Sequence, residues 1–282
     1  MNPSSLVEQF LNHLEFEKKA SPYTLKNYRH YLEKFLEFYK SKKLNAIDNL
    51  LIQEYIVFVK SQPLKKSTQN YFLIALRSFL SFLEEKGIES AKPNLIKLGS
   101  QKIASPKTIG KNALNELLSS IDLTAKDGYR DRVIIGLFIE AGLKVSELSL
   151  LNINQINLKS QSLSFTDKKG KARSYKLSPS LTQTLNSYLS SRGDQYRPLF
   201  IRYKGEVDSS DQGEKMRLST RSIERMLEKY TKFVSSGVKA TPLILRHSFA
   251  NNLFTLGENL ESVSRKLGHS SSSSTRIYKK TP

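Results

Sequence analysis

Apolar side chains recur at helical spacing in two long runs near the start of the chain, and they fix the character of its first third. In one run Leu25, Tyr28, Leu32, Phe35 and Leu36 share a helix face, behind Ser21 as N-cap and Pro22 at the first helical position. In the other, Tyr71, Leu73, Leu76, Phe79, Leu80 and Phe82 follow Ser67 or Thr68 and stop near Gly87. Four helices are expected over residues 4–88, with the aromatic stripes as the core of a small bundle. Lys26, Arg29, Lys65, Lys66 and Arg77 read first as solvated surface. Residues 1–90 thus predict a helical N-terminal domain. Pro, Gly, Ser and Lys then break the pattern over 91–110, as in a basic interdomain linker. Residues 111–282 mix elements. Helices are expected over 111–121, 128–141, 180–191 and 218–235, from Thr241 to about Leu256, and over 258–267. Short strands at 162–166 and 174–177 flank a turn, Asp167–Arg173, and Leu199–Tyr203 reads as a further strand. The expected fold class is mainly α with a small antiparallel β-sheet.

Charge narrows the partners. The 282 residues carry 45 Lys and Arg against 26 Asp and Glu, a formal net charge of +19. Residues 1–100 hold 15 basic and 10 acidic side chains, whereas 101–282 hold 30 and 16, so the excess lies mainly in the second part. Such a charge suits a polyanion, either nucleic acid or an anionic membrane surface. No apolar run reaches the ~18 residues of a membrane span, and the N-terminus lacks a signal-peptide core. The chain is therefore read as soluble and cytoplasmic. It has no cysteine, which excludes disulfides, thiolate catalysis and zinc fingers. Its four histidines, His13, His30, His247 and His269, include no pair at the i, i+4 spacing of a helical zinc site, so no metal or cofactor is expected.

Several clusters could carry chemistry. Arg246 lies beside the stripe Leu245, Phe249 and Leu253 near a helix start at Thr241, where a guanidinium and free N–H groups favour an anion, though an Arg paired with a carboxylate fits as well. His269 follows Gly268, a helix C-cap, and could equally be satisfied by backbone. Tyr278 ends a polar serine-rich tail in which nothing nearby demands a core aromatic. Together an Arg, a His and a Tyr suit metal-free attack on a phosphodiester: the first neutralises phosphate oxygens, the second hydrogen-bonds one, the third supplies a nucleophilic oxygen. In the turn Asp167–Arg173, Lys168, Lys169, Lys171 and Arg173 form either a solvated hairpin tip or a basic finger for a nucleic-acid groove, with one Lys able to donate a proton. Lys144 and Glu147, three apart after the Gly142 turn, could pair.

The order of these pieces is more specific than any one of them. Ala-Gly-Leu-Lys-Val-Ser-Glu-Leu at 141–148, the lysine hairpin, Leu-Arg-His-Ser-Phe-Ala at 245–250, and Leu-Gly-His at 267–269 followed nine residues later by Tyr278 resemble the tyrosine recombinase/phage integrase family, Xer-type in size. The resemblance covers essentially the whole chain. It implies a two-domain DNA clamp, a helical core-binding domain of SAM-like type plus a catalytic domain, acting on double-stranded DNA as a homo- or hetero-tetramer on two duplexes. It places Tyr278 at the nucleophile, Arg246 at the second phosphate-clamping arginine, His269 at the phosphate-supporting position and Lys169 at the hairpin lysine that protonates the leaving oxygen, with Lys168 and Lys171 as neighbours that share that choice. It implies no metal and no ATP. Two positions depart from the family pattern. Lys144 stands where the first catalytic Arg is expected, keeping charge but losing the bidentate fork. Leu243 stands where a His or Lys is usual, three residues before Arg246. Both lead to the expectation of a slow recombinase, with a non-cleaving DNA-binding relative as the alternative.

Overall fold

The computed structural model describes residues 2–42, 46–99, 105–167, 170–235, 237 and 239–278. The chain forms two compact units, Met1–Ile103 and Ala104–Pro282.

The first unit holds four α-helices: α1 (Pro3–Asn12), extended by a π-helical turn over His13–Glu17, α2 (Pro22–Ser41), α3 (Asn49–Ser61) and α4 (Lys66–Glu85). Their starts follow from local chemistry. Ser21 Oγ accepts from the Thr24 amide at 3.1 Å, and Asp48 Oδ1 from the Leu51 amide at 2.8 Å. The α4 helix starts earlier than Ser67 or Thr68: its N-cap is Lys65, which makes no side-chain cap bond. The stripes meet as expected, with Phe10, Leu32, Phe35, Leu51, Tyr55, Leu76 and Phe79 buried in one cluster. Within the segment read as a linker, Ala91 and Ile96 are buried in this cluster, the Ala91 amide donates to the Ile47 carbonyl at 2.7 Å, and Asn70 bonds both backbone groups of Gly99.

The second unit is built around α6 (Gly128–Ala141), which follows α5 (Lys111–Ser119) and is buried on most of its circumference. A short helix, α7 (Val145–Ser149), leads into an antiparallel meander of β1 (Ile156–Asn157), β2 (Ser162–Thr166) and β3 (Ala172–Lys176), paired in that order. The helices α8 (Pro179–Ser190), α9 (Thr220–Thr231), α10 (Pro242–Thr255), α11 (Leu260–Leu267) and α12 (Ser273–Arg276) complete the unit. The start of α8 is held by Glu140 of α6, whose carboxylate accepts from the Ser178 amide and hydroxyl at 2.7 and 2.6 Å. Ile134, Leu137, Phe138, Leu185, Tyr188 and Phe200 form the centre of its core. The strand expected at Leu199–Tyr203 is absent. That stretch makes isolated bridges instead, Ile201 with Arg217 and Asn152 with Pro198. Pairing with 216–218 is short, the Leu218 amide donating to the Phe200 carbonyl at 2.9 Å and the Arg202 amide to the Met216 carbonyl at 2.8 Å, because the partner segment turns through left-handed backbone at Asp211–Gly213 and enters α9 at Thr220. Among the described residues no helix is long and apolar enough to cross a membrane.

Candidate active site

The site lies within the second unit, where helix ends converge. Helix α6 stops at Gly142, which adopts φ +55°; a Cβ there would fall 2.1 Å from the Phe249 ring, so α10 crosses closely over the end of α6. Arg246 of α10 is buried at this crossing. Its Nη1 donates to the Gly142 carbonyl at 2.7 Å and its Nη2 to the Leu267 carbonyl, at the end of α11, at 2.5 Å. The guanidinium therefore joins two helix C-termini, whose dipoles favour a cation. Burial pulls its pKa down, and Glu147 and Tyr278 oppose that pull. An arginine remains charged regardless.

Glu147 organises the opposite wall. Its Oε2 accepts from the Lys144 amide at 2.9 Å, which starts α7, and lies 3.9 Å from Arg246 Nη1. Its Oε1 lies 3.4 Å from Lys144 Nζ and 2.5 Å from Arg173 Nη2. Three cations thus face one carboxylate, which leaves the group with an excess of positive charge suited to a bound anion.

Arg173 corrects the sequence reading. Its place in the turn groups it with the hairpin cations, but only 3% of its side chain is accessible. The alternation of β3 is the reason: Arg173 and Tyr175 point inward, while Ala172, Ser174 and Lys176 point out. The Arg173 Cζ lies 4.6 Å from the Phe165 ring centre, and Nη1 donates to Tyr175 Oη at 3.1 Å. Tyr175 Oη in turn donates to the Lys266 carbonyl at 2.5 Å. The contact with Glu147 is a close ion pair without hydrogen-bond geometry, since among the described residues Nε and Nη2 have no hydrogen-bond acceptor. Lys171 is exposed on the hairpin, as expected. Lys168 and Lys169 lie outside the described residues.

His269 stands over this floor. Helix α11 ends at Gly268 with φ +64°, where a Cβ would lie 2.7 Å from Arg173 Nη1. The His269 amide donates to the Ser264 carbonyl at 3.0 Å, and its Nδ1 lies 2.8 Å from Oγ1 of Thr275, a fully buried residue of α12. Burial first, and then Arg246, Lys144 and Arg173, bring the His269 pKa down to about 4, against the pull of Glu147. The imidazole is neutral at pH 7, so it offers hydrogen bonds and no charge.

Tyr278 is 8% exposed and shares an apolar cluster with Phe249, Leu253, Val263 and Leu267. The tail therefore does hold a packed aromatic. Its ring stacks on His269 at 6.3 Å between centres and lies 5.1 Å from His247 at 56°. Burial raises its pKa, and Arg246 counters. Lys144, Glu147, Phe165, Asp167, His269 and Ser274 line an adjoining cavity of about 360 Å³. Leu243 points outward and is 60% exposed. Among the described residues no group of three or more His, Cys, Asp or Glu could hold a metal ion.

The structure thus brings Lys144, Arg246, His269 and Tyr278 together with Glu147 and Arg173, and adds Thr275 and His247. The inward position of Arg173 could have been read from strand alternation. Thr275 and His247 depend on packing between distant elements, which spacing along the chain does not reveal.

Residues 107–281 match the phage integrase family, and residues 7–87 match the phage integrase N-terminal SAM-like domain. A tyrosine recombinase XerC from Pelotomaculum thermopropionicum is 30% identical over 292 residues, covering 96% of this chain and 92% of that protein. A tyrosine recombinase XerA from Thermococcus kodakarensis is 31% identical, covering 99% and 91%. The fold is shared with a XerH site-specific recombinase bound to a difH substrate (TM-score 0.75, 23% identity, 100% of this chain and 81% of that one). It is shared also with a lambda integrase dimer bound to a COC' core site (TM-score 0.72, 14% identity, 98% and 95%). With both of its parts matched in order and close relatives along nearly its full length, the chain belongs to the phage integrase family.

Proposed function

We propose that this protein is a tyrosine-type site-specific DNA recombinase that cuts and rejoins duplex DNA through Tyr278. The observation that carries the reading is the convergence of Arg246, His269 and Tyr278 beside a cavity that Lys144 lines. Tyr278 Oη attacks the phosphorus, the P–O5′ bond breaks, and a 3′-phosphotyrosyl link forms. Arg246 and Lys144 neutralise the non-bridging oxygens, and neutral His269 hydrogen-bonds one of them. Lys169 of the hairpin, with Lys168 and Lys171 beside it, supplies the proton to O5′. Rejoining reverses these steps with a new 5′-hydroxyl. The bond energy is kept in the ester, so the cycle consumes no ATP.

Organisation follows from the same reading. The helical unit forms the core-binding domain and the second unit the catalytic domain. Four protomers on two duplexes carry out the exchange, and recognition of double-stranded DNA rests on Lys171 and its hairpin neighbours together with the general positive charge.

A direct test uses duplexes selected by the protein from a random pool and nicked to trap the intermediate. An SDS-resistant protein–DNA adduct is expected, and Tyr278→Phe abolishes it while binding is retained. Intact binding without any adduct from the unaltered protein would instead establish a non-cleaving binder.

A further inference from the structure

The loss of a proton acceptor at position 243 leaves the reaction above with an unassigned step: something must take the proton of Tyr278 as its oxygen attacks. Leucine cannot. Position 247 lies four residues on, one helical turn along the same face of α10. It is a histidine, and its ring lies 5.1 Å from that of Tyr278.

We propose that His247 is the general base for Tyr278 and takes over the work that Leu243 cannot do. The proposal rests on the reading of Tyr278 as nucleophile. Three observations carry it. The first is the ring contact, with centres 5.1 Å apart and the two planes tilted by 56°. The second concerns the tautomer. His247 Nδ1 lies 3.3 Å from the Lys107 carbonyl oxygen. A carbonyl can only accept, so Nδ1 carries the proton and Nε2 presents a lone pair. The third is the charge state. Burial shifts the His247 pKa below the ordinary imidazole value; the Lys107 carbonyl opposes this and Arg246 adds to it. The free base is the form present near neutral pH.

The step balances. The proton of Tyr278 Oη passes to His247 Nε2 as the Oη–P bond forms and the P–O5′ bond breaks; O5′ takes its proton from the hairpin lysine. The resulting imidazolium keeps Nδ1–H on the Lys107 carbonyl. In rejoining, Nε2–H returns its proton to the departing tyrosine oxygen. Transfer requires Nε2 and Oη at about 2.6–3.2 Å, a separation that catalytic groups commonly reach only with substrate bound.

The test measures single-turnover adduct formation on nicked duplexes with His247→Phe, which retains an aromatic ring against Tyr278 and removes both ring nitrogens, the Nδ1 bond to Lys107 included. Adduct formation is expected to slow by about 10²-fold or more, with DNA affinity and melting temperature unchanged. The defect should persist on a substrate whose 5′-bridging oxygen is replaced by sulfur, a leaving group that needs no acid. A Lys169→Ala defect should disappear on that substrate. Adding Leu243→His to His247→Phe should restore much of the rate. Wild-type speed in His247→Phe, or a defect that vanishes with the sulfur substrate, overturns the role of His247 alone. Absence of any adduct from the unaltered protein overturns the nucleophile assignment and the present proposal with it.

Discussion

Glu147 is the residue on which the local electrostatics turn. One carboxylate faces Lys144, Arg173 and Arg246, and it is closest to Arg173. That close pair uses most of its charge, so Lys144, with its side chain 49% exposed, is held only loosely and remains available to a phosphate. A lysine there supplies a point charge, and an arginine would add the planar fork that grips two oxygens. Removing a single donor from a charge-stabilising site costs about 2.7–4 kcal/mol, and a lysine retains part of that. Lys144→Arg is therefore expected to raise the single-turnover cleavage rate roughly tenfold or more, measured on the trapped-adduct substrate. An unchanged rate would mean that charge alone, without the fork, suffices at this position.

At the scale of elements, the β2–β3 hairpin and the C-terminal end of α11 behave as one piece. Arg173 and Tyr175 reach from β3 to the Lys266 carbonyl and to the turn at Gly268, beneath His269. Replacing Arg173 with Met leaves Glu147 buried without its nearest cation. Breaking a buried pair in this way costs about 3–5 kcal/mol, which lowers the melting temperature by about 10 °C in a unit of this size. Scanning calorimetry would show it; a shift of a degree or two would mean that Lys144 substitutes for the lost partner. These same elements show what the sequence discloses. The helices α2 and α10 were legible because Ser21-Pro22 and Thr241-Pro242 fix their starts, and Gly268 announces the end of α11. The 162–166 strand was legible from its alternation. Leu199–Tyr203 has the composition of a strand, but its partner segment is extended only briefly between the left-handed turn at Asp211–Gly213 and the start of α9, so the pairing stays at isolated bridges. Among the site residues Arg246, His269 and Tyr278 announced themselves through motif order. The interior place of Arg173 follows from the alternation of β3, whereas the approach of His247 to Tyr278 arises from packing across more than 30 positions of chain, which no local pattern encodes.

For the whole molecule, a charge of +19 makes attraction to any DNA strong. Each neutralised phosphate contributes a slope of about −0.9 in the dependence of log affinity on log salt, so six to ten contacts weaken binding by about 10³–10⁵-fold between 50 and 200 mM salt. Fluorescence anisotropy across that range should show this fall. A flat response would remove backbone phosphates as the main source of affinity. A protein that clings to DNA so readily has a problem of restraint, and the storage of Tyr278 addresses it. The phenol lies under cover, against Phe249 and between two imidazoles. A duplex sliding past meets lysines and arginines, and a tyrosine that is only 8% exposed. Attraction alone does not place a phosphate against that oxygen; the backbone must also be seated beside Arg246 and the two imidazoles, so riding on a duplex and cutting it are separate events.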